Sequence, residues 1–394
     1  MGTAIERVLT SEALERLRRP TGRAYGLPRE SFTSEAIYAE EMDRVFGQGW
    51  IVAGISEELA QPGSVVPLTL AGRPIILTSN DEGRIQAFHN VCRHRGVQVV
   101  TQACSGLKLL RCPYHSWSYD LDGRLRATPH VGGPGKHSHP DIRKSENGLV
   151  PIRCEVWANL VFVNFAAGGP DLLAFLAPLI ERWKAYDFTR LRLGGSATFE
   201  IKANWKLAVE NFSESYHLPW VHAGLNSYSP MEDHGCFFIP GLCQGQLSRN
   251  YAQAPIDGRT LPRFPGLSPA QEKLAEYPVV FPNLMLGVHA DHFFALTAVP
   301  VAPDRTYERL DLFVIGDEAL VPEFAPHRAQ VVEAWRSINV EDIDVVERMQ
   351  VGRSSPAMDG GRFAPGQDDC VHAFELAWVD AMTDGGDRSV RAAD

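Results

Sequence analysis

At 394 residues the chain is long enough for two or three domains, and its 44% apolar content is ordinary for a globular protein. Its net charge is −10, with acidic and basic residues interspersed and no basic stripe or polybasic arm, which argues against nucleic acid or an anionic membrane as partner. No apolar run approaches the length of a membrane span.

In chain order, Met1-Gly2-Thr3-Ala4-Ile5-Glu6 lacks the apolar core of a signal peptide, and Glu6 stands where a myristoylation motif wants Ser or Thr. A soluble, cytoplasmic protein is expected. Ser34 followed by Ile37, Met42, Val45 and Phe46 predicts a capped amphipathic helix over 34–48. From Trp50 to Phe165 the pattern is short strands separated by Gly, Pro and Asp turns. Ile85–Phe88 and Leu107–Leu110 read as strands, Asp120-Leu121-Asp122-Gly123 as a turn, and Val161–Phe165 as the last strand before Gly168-Gly169-Pro170. Leu172 to Tyr186 reads as helix, Leu191 to Ile201 as strand, about 279–315 as further β structure, and about 326–349 as the last large helix. A polar tail follows Thr383. Strands and helices mixed without βαβ alternation indicate an α+β fold.

Two loops carry the first chemical signal. Cys92 and His94 stand in Cys-Arg-His-Arg-Gly, and Cys112 and His115 in Cys-Pro-Tyr-His. Two thiolates and two imidazoles can hold zinc, or a [2Fe–2S] cluster in which two histidines replace two cysteines on one iron. Loops at the tips of β-hairpins favour the cluster over the helix-borne histidines of a zinc finger. Of the seven cysteines, the other five (Cys104, Cys154, Cys236, Cys243 and Cys370) are scattered, with no disulfide framework, as in a reducing compartment.

The second signal is Asn211-Phe-Ser-Glu214-Ser-Tyr-His217-Leu-Pro-Trp-Val-His222. A helix over 206–217 ended by Pro219 would set Asn211, Glu214 and His217 on one side, with His222 just beyond. The H-x4-H pair suits a divalent metal such as iron or zinc, and a dioxygen-binding iron needs a carboxylate as third ligand. Val331, Trp335, Ile338, Asp342, Val346 and Met349 trace one apolar helical stripe that Asp342 interrupts. A carboxylate there is costly unless paired or metal-bound, so Asp342 is preferred to Asp344, which points away. Glu347 and Gln350, farther along the same helix, are candidates to orient Asp342.

Arg93, Arg95, Gly96 and Trp117 around the first ligand set resemble a Rieske domain. With Glu214-x2-His217-x4-His222 and the run from Asp342 to Gly352, nearly the whole chain resembles the α subunit of a Rieske non-haem iron oxygenase, the aromatic-ring-hydroxylating dioxygenase family. The resemblance implies a β-rich Rieske domain at 48–166, inserted near the start of a helix-grip (START/Bet v1-like) catalytic domain formed by 1–47 and 167–394. It implies a [2Fe–2S] cluster on Cys92, His94, Cys112 and His115, and mononuclear Fe(II) on His217, His222 and Asp342. Dioxygen is then co-substrate. Electrons come from NAD(P)H through a separate reductase, with or without a ferredoxin, since the chain has no flavin or dinucleotide fingerprint of its own. Such subunits form homotrimers in which one subunit's cluster lies near its neighbour's iron, with a carboxylate between them that falls on Glu214.

Most of the family carries aspartate at that bridge. Relatives with glutamate include oxygenases of carnitine and glycine betaine. The expected substrate is a small organic molecule, an aromatic compound first and a quaternary ammonium compound as the alternative. A cation would need an aromatic cage, for which Tyr216, Trp220, Tyr228, Phe237, Phe238, His289, His292, Phe293 and Phe294 supply material. More distant readings are a Rieske electron carrier without catalysis and a zinc-stabilised binding protein.

Overall fold

Alternating apolar residues dominate the stretches before and after the first long helix, and each stretch closes into antiparallel sheet. The computed structural model describes residues 3–252 and 259–383; the polar tail expected after Thr383 and the Met1-Gly2 end lie outside the described residues. Two compact units result: Phe46–Ala174, and Met1–Val45 together with Phe175–Asp394. The α+β class expected from the sequence holds. No described helix is long and apolar enough to cross a membrane.

In the unit Phe46–Ala174, strands β1 (Ile51–Ile55), β2 (Val65–Leu70), β3 (Arg73–Ser79), β4 (Ile85–His89), β5 (Leu110–Arg111), β6 (Ser118–Tyr119), β7 (Leu125–Ala127), β8 (Pro151–Trp157) and β9 (Leu160–Asn164) form two sheets. One has the order β1-β9-β8-β4-β3-β2, the other β5-β6-β7. Register across β3 and β4 sets Ile75 opposite His89 and Leu77 opposite Ala87. Val65, Ile76, Phe88, Leu110, Trp117 and Tyr119 pack into one core with the thiols of Cys92 and Cys112. The strand expected from Leu107 begins only at Leu110. Leu107 N–H donates instead to Gly63 O at 3.1 Å. Gly63 has φ +84°, and a Cβ there would come 2.7 Å from Leu107 N, so the chain crosses Gly63 as a loop.

The other unit holds one seven-stranded antiparallel sheet, β10 (Leu191–Ile201), β11 (His234–Ile239), β12 (Cys243–Ser248), β13 (Ala275–Val280), β14 (Leu284–Val288), β15 (His292–Ala302) and β16 (Arg305–Ile315), ordered β10-β16-β15-β14-β13-β12-β11. The 29-residue helix Ala325–Arg353 packs along β10. Gly195 permits the approach, since a Cβ there would meet Val332 at 2.8 Å. A further large helix, Asp369–Thr383, covers β11 and β12 and corrects the expectation that the helix over about 326–349 is the last. It is buried almost all round, so no apolar stripe announces it.

The Glu35–Arg44 helix, N-capped by Ser34, belongs to this unit through a buried charge. Glu41 pairs with Lys206, both fully buried, and accepts from Trp378 Nε1 at 2.7 Å and Trp205 Nε1 at 3.1 Å. Removing one partner of such a pair strands the other charge, at a cost of about 3–5 kcal/mol.

Candidate metal centres

The first candidate site is built by two tight loops. β4 leads to Cys92 and His94, and β5 leads to Cys112 and His115. Cys92 N–H donates to Val97 O at 2.8 Å and Gly96 N–H to Cys92 O at 3.0 Å. The second loop repeats the plan, with Cys112 N–H to Trp117 O at 2.8 Å and Ser116 N–H to Cys112 O at 3.0 Å. Each loop turns on a left-handed residue, Gly96 at φ +76° and Ser116 at φ +57°. Both thiols are buried, and Tyr119 Oη lies 3.3 Å from Cys92 Sγ while accepting Arg93 N–H at 3.0 Å. The His94 and His115 rings are 4.6 Å apart, and His94 stacks on Trp117 at 5.0 Å. His115 Nδ1 is buried with no hydrogen-bond partner among the described residues. A lone pair left without a partner beside two buried thiols and a second imidazole is what a cluster with two nitrogen ligands requires.

The second site departs from the helix expected over 206–217. Asn204 caps the helix Trp205–Phe212, its side chain accepting Lys206 N–H at 3.1 Å. The helix stops at Phe212, where Ser213 Oγ donates to Val209 O at 2.7 Å. The chain then turns around Glu214, whose carboxylate accepts His217 N–H at 3.1 Å and faces His217 Nδ1. Pro219 does not end a helix but opens the short one, Leu218–Val221, where its missing N–H is no loss. His222 follows directly.

Asp342 meets both histidines from the Ala325–Arg353 helix. Its Oδ1 is 2.9 Å from His222 Nε2 and 3.6 Å from His217 Nε2, and accepts Asn211 Nδ2–H at 3.1 Å. One ligand atom from each of His217, His222 and Asp342 lies within 4.8 Å of the others. A carboxylate holds the far nitrogen of each ring: Glu214 at His217 Nδ1, and Glu341 Oε2 at 2.7 Å from His222 Nδ1. This carboxylate–histidine arrangement leaves each Nε2 free to coordinate. Burial opposes charge on His222, but Asp342 and Glu341 outweigh it and raise its pKa. Asp344 is exposed and paired with Arg348. Glu347 and Gln350 do not orient Asp342: they accept the N–H groups of Lys202 at 3.0 Å and Asn204 at 2.9 Å, from a different side of the helix. Asn211 and Glu341 are the polar neighbours instead.

A cleft of about 460 Å³, counting its open mouth, reaches this cluster. Its walls include Phe212, Leu218, Tyr277, Trp335 and Ile338. Tyr277, His234 and Gln246 line it unforeseen, on strands where only alternation could have marked them. Of the expected cage residues, Tyr216 and Trp220 are exposed and meet edge to face at 5.5 Å, while Phe237 carries the Arg182 guanidinium 3.9 Å above its ring. Phe294 packs on Trp335 at 4.4 Å, and His289 stacks on His292 at 4.0 Å.

A profile of the family described as ring hydroxylating alpha subunit (catalytic domain) matches residues 188–384, and one of the Rieske [2Fe-2S] domain matches residues 49–141. The chain is 25% identical over 376 residues to the glycine betaine monooxygenase oxygenase subunit of Chromohalobacter salexigens, covering 86% of this chain and 82% of that one. It is 26% identical over 373 residues to the chloroplastic choline monooxygenase of Spinacia oleracea, covering 91% and 79%. In structure it is similar to the quaternary ammonium Rieske monooxygenase CntA in complex with L-carnitine, with a TM-score of 0.76 at 22% identity over 94% of this chain and 98% of that one.

Proposed function

This chain belongs to the ring-hydroxylating α-subunit family, the Rieske non-haem iron oxygenases, and from that membership we propose that it oxidises a quaternary ammonium compound at a carbon near the nitrogen. As an oxygenase component it works with a [2Fe–2S] cluster, a mononuclear iron, dioxygen and a separate reductase. The relatives named for glycine betaine and choline favour this substrate over the aromatic one expected first. The observation that carries the reading is the wall of the cleft, where Tyr277 and Trp335 present aromatic surface beside the acidic cluster, a setting that attracts an ammonium group.

The donor sets fit the two metal groups. Cys92, His94, Cys112 and His115 would hold the cluster, and His217, His222 and Asp342 would hold the iron as a two-histidine, one-carboxylate triad with open positions. Ferrous iron there supplies binding and reductive activation of dioxygen, with electrons from the cluster. The protein's own part is positioning. Glu214 and Glu341 fix the tautomer and rotation of His217 and His222, and Asn211 ties up one oxygen of Asp342. Phe212, Leu218 and Ile338 exclude water from the reacting carbon. We further propose a homotrimer in which Glu214 also accepts from a cluster histidine of a second copy, so that electrons cross between subunits. The His217–His222–Asp342 cluster speaks against a plain electron carrier, for which that triad would have no use.

The test is dioxygen and NADH consumption with a surrogate reductase, comparing choline, glycine betaine and carnitine with aromatic acids and methoxyarenes. Coupled product formation is expected with a quaternary amine, and three irons per chain by metal analysis. Turnover of aromatic compounds alone would overturn the substrate reading, and two irons per chain would overturn the oxygenase site.

A further inference from the structure

Every charged side chain lining the cleft, apart from its metal-facing histidines, is acidic: Glu214 and Asp342. No Lys or Arg lines it among the described residues. Residues 253–258, outside the described set, contain no Lys, Arg or His either. Ferrous iron held by His217, His222 and Asp342 would not reverse the sign, because its two charges would be set against the three carboxylates of Asp342, Glu214 and Glu341.

Of the neutral donors on the wall, Asn211, His234 and Gln246 are engaged, and Tyr277 adds a phenol hydroxyl but no charge. His234 Nε2 meets Ser229 Oγ at 3.0 Å, and Gln246 Nε2 donates to Phe212 O at 3.1 Å. Burial pushes the His234 pKa down, so it carries no charge to offer an anion. A substrate carboxylate entering here would therefore lose its water and gain no cationic partner, which is costly.

Behind the aromatic wall stands one hydrogen-bonding side chain with nothing to bond. His289 is 1% exposed, and neither of its ring nitrogens has a partner among the described residues. Its stacked neighbour His292 is satisfied on both sides, by Asp291 at 2.7 Å and Trp335 Nε1 at 2.9 Å. The His289 ring lies 5.4 Å from both Tyr277 and Trp335, which themselves face the cleft. Burial holds its imidazole neutral, its pKa far below the ordinary histidine range. It does not line the cleft, and as a neutral imidazole it gives a carboxylate there no charge to pair with.

We propose that the cleft selects a cationic substrate that carries no carboxylate, a quaternary ammonium alcohol or ester, and discriminates against zwitterions of the betaine and carnitine type. This rests on the quaternary-ammonium reading and narrows it. Discrimination comes from the missing cation as much as from the aromatic wall.

The experiment uses the full chain with both metal sites loaded and compares matched pairs by calorimetric affinity and by kcat/KM. Choline is set against glycine betaine, and carnitine methyl ester against carnitine. The choline and ester members are expected to win by roughly 100-fold in both readouts. Equal affinities, or a preference for either zwitterion, would overturn the inference. If no quaternary compound binds, the substrate reading fails, and methyl benzoate against benzoate then decides the charge rule by itself. Preference for the ester upholds the rule on the other substrate class, and preference for the acid overturns it.

Discussion

Glu341 was not legible as a functional residue, and its removal gives a measurable test of how the iron site is held. Its carboxylate lies 2.7 Å from His222 Nδ1, on the side away from Asp342. A carboxylate that holds the far nitrogen of a ligand histidine is worth about 10–100-fold in metal affinity, or about 1.4–2.8 kcal/mol. Glu341 is 50% exposed, so water and salt screen its charge, and Glu341→Ala is expected at the low end, near tenfold weaker Fe(II) binding. Glu341→Gln keeps an oxygen to accept the Nδ1 proton and is expected to lose less than about threefold. The deficit depends on pH with a definite sign. Glu341 also helps raise the His222 pKa, so in the parent protein protons compete harder with metal as pH falls. The Ala variant should bind most poorly, relative to parent, above the raised pKa, and the gap should narrow in acid. Anaerobic Fe(II) titration of the iron-depleted protein, with the cluster spectrum as an internal control, measures both effects. Parent-like affinity in Glu341→Ala would refute the idea that Glu341 holds His222 for the metal, and equal losses in Gln and Ala would show that charge rather than ring orientation matters.

Three other outcomes are expected. Glu214→Gln should retain all three irons, but single-turnover oxidation of the cluster should slow by orders of magnitude, because an amide cannot replace a carboxylate that accepts from His217 and, as proposed, from a cluster histidine of a second copy; an unchanged rate would remove the proposed bridge. Tyr119→Phe deletes the phenol 3.3 Å from Cys92 Sγ, which would donate to that sulfur once it is a cluster thiolate and favour the more negative reduced cluster. The potential should fall by about 40 mV for a differential of about 1 kcal/mol, read by spectroelectrochemical titration. Glu308 is buried beside Asn339 and Asp342; burial raises its pKa to about 7, Asn339 opposing and Asp342 adding to the shift. The unfolded chain loses this proton near the ordinary 4.5, so the group disfavours folding increasingly as pH rises from there to about 7. In iron-depleted protein Glu308→Gln should leave Tm unchanged below pH about 4.5 and raise it above, by at most about 3 kcal/mol of stability. A Tm gain that did not grow with pH would contradict this.

Much of the chemistry was legible because it depends on residue type at short spacing. Cys92-x-His94 and Cys112-x2-His115 lie on loops closed by their own backbone bonds, and the close spacing of His217 and His222 lets one turn and one short helix deliver both rings. Asp342 could be singled out because a carboxylate in an apolar helical stripe has to be paired with something. The strands β10, β15 and β16 and the Ala325–Arg353 helix likewise follow from periodicity along a single element.

What the sequence left open involves residues far apart in the chain. The helix breaks after Phe212, where Ser213 Oγ donates to Val209 O and the Glu214 carboxylate accepts His217 N–H in place of a helical carbonyl. Asn211 and Glu341 act on residues more than a hundred positions away, Asn211 on Asp342 and Glu341 on His222. The Asp369–Thr383 helix has no periodic signature in the sequence because it is buried on nearly every side and shows no polar face to set the period. The cleft wall unites Tyr277 and Gln246, cross-strand neighbours on β13 and β12, with Trp335 of a distant helix. Local sequence therefore determined which donors exist and how each small group is presented. Only tertiary packing decided that Glu341 stands behind His222, and that among the described residues no Lys or Arg lines the cleft, because those facts depend on how distant helices pack on the seven-stranded sheet.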